Sequence, residues 1–141
     1  MTYEIGRTAE ITEVISDERV RQFAELSGDY NPLHLNDSYA EQTEFKGRIA
    51  HGMLTAIYVA KALFALNPNG EAGGVHLSQN FKFKAPVYVG DTVTIRAKVK
   101  DLKSRAGITV ATVATDFFNQ DGKLVIKGEA QIIPEPKQAE A

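Results

Sequence analysis

The segment from His51 to Leu66 limits the possible folds of this chain more than any other, because it is apolar on nearly every side of a helix. Its only charged residue is Lys61. A helix without a polar face is normally buried in the core of a domain. The segment is also shorter than the roughly 20 apolar residues that span a bilayer. We therefore predict one long helix, buried by the rest of the chain, and no membrane span.

The second half of the sequence has the alternating pattern of strands. Four runs alternate apolar with polar residues, namely Val75–Phe83, Val93–Val99, Ile108–Ala114 and Leu124–Ile132. Alternation of this kind indicates strands with one buried face, and the pair Asp121-Gly122 is a hairpin turn signal. The short links between the four runs predict an antiparallel meander.

The N-terminal region adds a strand and a helix. Residues Ala9–Ile15 alternate as a strand, Ser16 is a suitable N-cap, and Gly28 can end the following helix in the left-handed conformation. With at least five strands around one apolar helix, the chain is predicted to be an α+β protein with helices on one face of an antiparallel sheet. We expect a single domain over residues 1–133 and a loose polar tail over 134–141.

Composition excludes several classes of function. The chain of 141 residues has no cysteine and a net charge of −2, which excludes thiolate sites and disulfide scaffolds and argues against a general nucleic-acid binder. The first residues lack the apolar stretch of a signal peptide, so we expect a cytoplasmic location. His34, His51 and His76 lack the HExxH spacing, and we predict neither a metal nor a cofactor.

One turn-rich segment concentrates groups that can move protons. Asp29 and His34 are separated by a turn that contains Pro32, around which their side chains can converge. A carboxylate and an imidazole that share one water form a general acid–base pair near neutral pH. From these residues alone a second interpretation stays open, in which Asp29 caps the turn, Asn31 forms an Asx-turn and His34 is an ordinary loop histidine.

Gly52 stands at the start of the apolar helix. Free backbone N–H groups at a helix start can hold an oxyanion, and a glycine leaves room for the carbonyl of a ligand. The alternative is that Gly52 only permits a tight entry into the helix.

Three motifs together resemble a known family. They are Ser27-Gly-Asp-Tyr-Asn-Pro-Leu-His34, His51-Gly-Met-Leu54 and Phe83-Lys-Ala-Pro-Val-Tyr-Val-Gly-Asp91. In this order they resemble the MaoC-like hot-dog family, and within it the short (R)-specific enoyl-CoA hydratases. The resemblance implies a hot-dog fold, in which a curved antiparallel sheet wraps a long central helix, and a homodimer. It also implies a hydro-lyase of fatty-acid metabolism that reversibly adds water, syn, to trans-2-enoyl-CoA to give (R)-3-hydroxyacyl-CoA.

The resemblance also implies roles for individual residues. Asp29 and His34 match the catalytic pair, and the Gly52 N–H matches the donor to the thioester oxygen. Asn31 occupies a motif position, where we expect it to orient the loop and help bind the substrate. The family often has a serine two turns into the central helix, where this chain has Ala60.

Further substrate contacts are expected from His51, Met53 and Leu54 at the start of the helix. Alternatively, the last two are ordinary core residues and His51 is a helix-entry residue. A set of basic residues could bind the phosphates of CoA or form a solvated strand face, namely Lys82, Lys84, Lys103 and Arg105.

Three other functions compete with acyl-CoA hydration. The same chemistry could act on acyl-carrier-protein thioesters, as in a 3-hydroxyacyl or polyketide dehydratase. A hot-dog thioesterase would share the fold and the ligand but typically lacks the G-D-x-N-P-[LIV]-H element that this chain carries at Gly28–His34. A non-catalytic acyl-binding module would not need Asp29 and His34.

Overall fold

A five-stranded antiparallel sheet forms the frame of the protein. The structure is a computed structural model, which describes residues 3–67 and 74–135. The strands are β1 (Thr8–Val14), β2 (Val75–Phe83), β3 (Thr92–Arg105), β4 (Ile108–Phe118) and β5 (Leu124–Ile133). Their order in the sheet is β1-β3-β4-β5-β2. The predicted strands are therefore confirmed, although β3 and β4 extend beyond the runs of alternation.

The predicted meander of four strands is wrong for β2. Strands β3, β4 and β5 follow one another as a meander, but β2 pairs with β5, with Val75 opposite Ile133 and Phe83 opposite Ile126. The link between β2 and β3, residues 84–91, contains Pro86 and is too long for a tight hairpin. Alternation along a strand predicts which face is buried, and it carries no information about which strand lies alongside.

In the described ranges, five short helices lie between the strands. They are α1 (Asp17–Ser27), α2 (Pro32–Leu35), α3 (Asp37–Glu41), α4 (Gly52–Ala56) and α5 (Val59–Ala65). The predicted limits of α1 are confirmed, because the Ser16 hydroxyl accepts from the Arg19 N–H at 3.2 Å and Gly28 has a φ of 82°. Helix α2 occupies part of the segment that the sequence indicated only as a turn.

The predicted single helix over His51–Leu66 is divided into α4 and α5. Around Ile57 and Tyr58 the backbone forms hydrogen bonds between residues three apart, as in a 3₁₀-helix. The Tyr58 N–H donates to Thr55 O at 3.3 Å, and the Ala60 N–H donates to Ile57 O at 3.1 Å. The β-branched Ile57 and Val59 on either side of Tyr58 are weak helix formers. Two short helices therefore replace the single helix that the apolar pattern predicted.

Only one side of α4 and α5 is buried in the protomer. Leu54, Ala62 and Leu66 belong to the core, whereas Met53, Ile57 and Phe64 are 54%, 46% and 55% exposed. The expectation that the whole apolar segment is buried is thus wrong for one face of the helix.

The sheet and the helices enclose a single apolar core. Alternate residues of β3 are fully buried, beginning with Val93 and Ile95, and α5 packs against β1 and β3. This confirms the predicted α+β fold, with helices on one face of an antiparallel sheet. No helix in the described ranges is long and apolar enough to cross a bilayer. Pro134 at the start of the expected tail is buried, and residues 136–141 lie outside the described residues.

Candidate active site

The loop between α1 and α2 is built by side chains that bind the backbone two residues further on. Asp29 Oδ1 accepts from the Asn31 N–H at 3.1 Å, and Asn31 Oδ1 accepts from the Leu33 N–H at 3.0 Å. Pro32 follows as the first residue of α2, a position where its missing N–H and fixed φ favour a helix. These local bonds fix the turn that carries Asp29 and the short helix that carries His34.

Arg48 ties this loop region to the rest of the chain. Its guanidinium, largely buried, donates from Nη1 to Asp17 at 2.8 Å and lies 3.4 Å from an Asp37 oxygen. It therefore joins the first turns of α1 and α3. Arg48 was not predicted from the sequence, because no residue near it in the sequence indicates either partner.

His34 is buried, and its ring is oriented by a backbone carbonyl. Its Nδ1 lies 2.8 Å from the oxygen of Ile49, and because a carbonyl only accepts, Nδ1 must carry the hydrogen. In the neutral ring Nε2 then holds a lone pair, and it lies 4.0 Å from Oδ2 of the half-exposed Asp29. The structure thus brings together the two residues that the motif predicted as a pair.

His51 lies behind this pair and is 2% exposed. Its Nε2–H donates to the backbone oxygen of Asp29 at 3.0 Å. Its ring stacks on that of His34, with centroids 4.0 Å apart, and the edge of Phe23 contacts it from 4.9 Å. Burial, with a further contribution from the charge on His34, lowers the pKa of His51 below its ordinary value.

An apolar cleft of about 410 Å³ opens beside His34 and Gly52. The residues that line it include Phe83–Val87, which is the beginning of the third motif, together with Phe45 and Ile49. Lys84 is the only one of the four candidate phosphate-binding basic residues that lines it; Lys103 and Arg105 border a separate hollow beside β3 and β4.

Gly52 is the first residue of α4 and borders the cleft. Its N–H precedes the hydrogen-bonded part of the helix, and it has no backbone acceptor among the described residues. A Cβ at this position would lie 2.8 Å from Cε1 of Phe83. A glycine is therefore what allows the Phe83 ring to pack against the start of the helix.

The other predicted substrate contacts are placed differently. Leu54 belongs to the core, and Met53 projects from the surface of the protomer, so neither lines the cleft. His51 is buried beside the His34 ring and does not line the cleft, and Asn31 uses its side-chain oxygen to cap α2. None of these four residues lines the cleft in the protomer, and their expected substrate contacts stay predictions.

Thr55 of α4 also lines the cleft, although it lies just outside the three sequence motifs. Its side chain is buried, and Oγ1 has no hydrogen-bond partner among the described residues. A buried hydroxyl without a partner costs about 1–3 kcal/mol.

Replacing Thr55 with the isosteric Val is therefore expected to raise the free energy of unfolding by about 1 kcal/mol. Urea denaturation measures the change. Thr115→Val is the matched control, because the hydroxyl of this buried threonine accepts from Gln79 at 2.9 Å, and its loss should lower stability. Equal destabilisation by both substitutions would contradict the unpaired state of Thr55.

Asp29, His34 and His51 each offer a ligand atom within 4.8 Å of the others. One nitrogen of each ring already donates to a carbonyl, and the two rings stack at 34° to one another. These bonds hold both rings in place, with His34 Nε2 4.0 Å from Asp29 Oδ2. The expected absence of a metal stays a prediction.

The curved antiparallel sheet packed on helices is a hot-dog fold, and comparison with known proteins places the chain among the hydro-lyases. The (R)-specific enoyl-CoA hydratase of Rhodospirillum rubrum is 41% identical over 129 residues, 91% of this chain and 85% of that protein. The solved (R)-hydratase of A. caviae involved in PHA biosynthesis superposes with a TM-score of 0.86 at 37% identity, over 96% of this chain and 99% of that one. The unliganded R-hydratase PhaJ1 of Pseudomonas aeruginosa gives 0.84 at 38% identity, over 98% of this chain and 89% of that one.

The model of the MaoC like domain matches residues 2–119. The chain belongs to the MaoC-like family, which confirms the family, the fold class and the hydro-lyase class expected from its three motifs.

Proposed function

We propose that the protein is an (R)-specific enoyl-CoA hydratase, which adds water reversibly and syn across trans-2-enoyl-CoA to give (R)-3-hydroxyacyl-CoA. The observation that carries the proposal is the distance of 4.0 Å between Asp29 Oδ2 and His34 Nε2, next to an apolar cleft. The hydratases named above, which resemble the chain over most of its length, support it as well.

The Asp29–His34 pair is suited to hold one water. Two acceptor atoms 4.0 Å apart can both lie about 2.8 Å from a single water oxygen. The carbonyl of Ile49 keeps the hydrogen of neutral His34 on Nδ1 and leaves Nε2 as an acceptor. The water adds its hydroxyl to C3, and the proton that it loses and the proton that reaches C2 both pass through this pair.

The Gly52 N–H supplies the third requirement of the reaction. An enoyl thioester is activated through its carbonyl, whose oxygen gains negative charge as water adds to C3. A backbone donor already aimed at that oxygen lowers the barrier, and loss of one such donor typically costs about 2.7–4 kcal/mol. The free amide at the start of α4 borders the cleft beside His34, which supports this role.

The walls of the cleft suit the acyl part of a thioester, and its opening suits an anionic carrier. The described lining is mainly apolar, and Lys84 is its cationic side chain. Lys82, near the end of β2, precedes Lys84 by two residues. A lysine at this position can meet a phosphate of CoA as a point charge. A cytoplasmic location remains a prediction from the sequence.

We also propose that two copies of the chain pair through β2. Strand β2 lies at the edge of the sheet, and Val75, Leu77 and Phe83 on it are 43%, 50% and 52% exposed. An edge strand with apolar side chains and unpaired backbone groups is a template for pairing. The other edge strand, β1, carries Glu10 and Glu13 instead, so β2 is the edge better suited to a second copy.

The reaction itself is the test of the proposed function. Purified protein mixed with crotonyl-CoA should remove the absorbance of the enoyl thioester, and chiral analysis should give mainly (R)-3-hydroxybutyryl-CoA. Mainly (S) product, or release of free CoA thiol without hydration, would refute the proposal. Parallel assays with crotonyl-carrier protein distinguish a CoA enzyme from a carrier-protein dehydratase, because the preferred thioester should give the higher kcat/KM.

A further inference from the structure

His51 contacts both members of the Asp29–His34 pair, although it does not line the cleft. Its Nε2–H donates to the backbone oxygen of Asp29 across 22 residues of sequence, at 3.0 Å. Its ring covers one face of the His34 ring at a centroid distance of 4.0 Å. A single buried side chain thus holds the turn that carries the carboxylate and the ring that carries the imidazole.

We infer that His51 is a positioning residue, which sets the distance between Asp29 Oδ2 and His34 Nε2 without touching the substrate. The inference rests on the proposed function, because the pair that His51 positions is the proposed catalytic pair.

The hydrogen bond fixes the chemical form of His51. Since the Asp29 carbonyl can only accept, Nε2 carries the hydrogen of the neutral ring, and Nδ1 holds a lone pair. That Nδ1 is buried and has no partner among the described residues. A second hydrogen on Nδ1 would therefore have no acceptor and would put a buried cation against His34. The neutral Nε2–H form is the one that fits, and it keeps the donor aimed at Asp29 while His34 gains and loses protons.

The surroundings of His51 hold its ring in place. Phe23 of α1 contacts it edge-on at 4.9 Å, and α4 begins at the next residue. The titratable groups that act on His51 are Asp29 and His34, of which the first favours its charged form and the second disfavours it. The position of His51 is therefore fixed by Phe23 and by the start of α4, independently of its contacts with Asp29 and His34.

Two substitutions separate the two contacts of His51. His51→Phe keeps a ring against His34 but loses the donor to Asp29, and His51→Gln keeps an N–H near the position of Nε2 but loses the ring. We expect His51→Phe to lower kcat for crotonyl-CoA at least ~10-fold with KM within about threefold of the wild-type value, as for loss of an interaction that acts in the transition state. His51→Gln should recover most of that loss. Thermal denaturation shows whether each variant is folded.

The decisive measurement is the effect of His51→Phe in the Asp29→Asn background. A residue that acts through Asp29 has little further effect once the carboxylate is absent, whereas a general structural defect would lower kcat by the same factor in both backgrounds. An equal factor, or a higher KM at unchanged kcat, would overturn the inference. If the wild-type protein itself does not hydrate crotonyl-CoA, the proposed function fails instead. In that case nitrogen-15 NMR of the imidazole rings still tests the expected Nε2–H form of His51, and the Nδ1–H form would refute the contact.

Discussion

Replacing Asp29 with Asn is expected to lower kcat for crotonyl-CoA hydration at least ~100-fold, since a positioned acid–base group contributes about 10²–10⁴-fold. Asn has the same shape and keeps an oxygen that can accept from the Asn31 N–H, so the turn should persist. It loses the capacity to accept a proton. His34→Ala should cause a loss of similar size, because it removes Nε2 from the same pair. Steady-state kinetics with each variant measure the effect.

The matched control for Asp29→Asn is Asp121→Asn. Asp121 is an exposed residue of the turn between β4 and β5. Asn-Gly is as suitable as Asp-Gly for such a turn, so stability and kcat should both be unchanged. If Asp29→Asn keeps kcat within about threefold of the wild-type value, Asp29 has no part in the proton transfers. Unchanged thermal denaturation is required of all three variants, because a lower melting temperature would attribute the loss to unfolding.

The sequence predicted those parts of the site that depend on neighbouring residues. Ser16 caps α1, Gly28 ends it, and Asp29 and Asn31 each bind a backbone N–H two residues further on. Each of these interactions joins residues that are close together in the sequence, so the residue types alone are sufficient to predict it. The resemblance to a family then gave Asp29 and His34 a shared role that their spacing left open.

Contacts between distant parts of the chain could not be predicted in this way. The carbonyl of Ile49 decides which nitrogen of His34 carries the hydrogen, and a backbone carbonyl has no signature in the sequence. The bond from His51 to Asp29 exists because α4 begins beneath the loop that follows α1. The position of β2 beside β5 is of the same kind, because it depends on the path of a connection and not on the pattern of a strand.

The apolar helix shows how a correct pattern can lead to an incorrect inference about burial. Its outer residues are as apolar as its inner ones, yet Met53, Ile57 and Phe64 are about half exposed in the protomer. The pattern does not distinguish burial in the core from burial against another chain. Apolar side chains exposed together on one face are typical of an interface, and they add to the apolar edge of β2 as evidence for the proposed homodimer.

Leu77→Asp is therefore expected to convert a dimer into a monomer. Leu77 is half exposed on β2, and in the proposed interface its replacement puts a charge from each copy into an apolar contact. Burial of unpaired charges is strongly unfavourable, so we expect the dissociation constant of the dimer to rise at least ~100-fold, about 2.7 kcal/mol. Light scattering should show a fall from twice the protomer mass to 15.4 kDa.

Activity should fall with the dimer, at least ~10-fold, because the wall of the cleft from Phe83 to Val87 continues directly from β2, and small displacements of a binding wall reduce turnover steeply. Ile108→Asp is the control, since Ile108 is 42% exposed at the start of β4, away from β2. It should remain dimeric and active.

A wild-type protein that is monomeric at assay concentration, or a Leu77→Asp dimer of wild-type affinity, would exclude pairing through β2. A monomeric Leu77→Asp variant with full activity would instead show that each protomer holds a complete site.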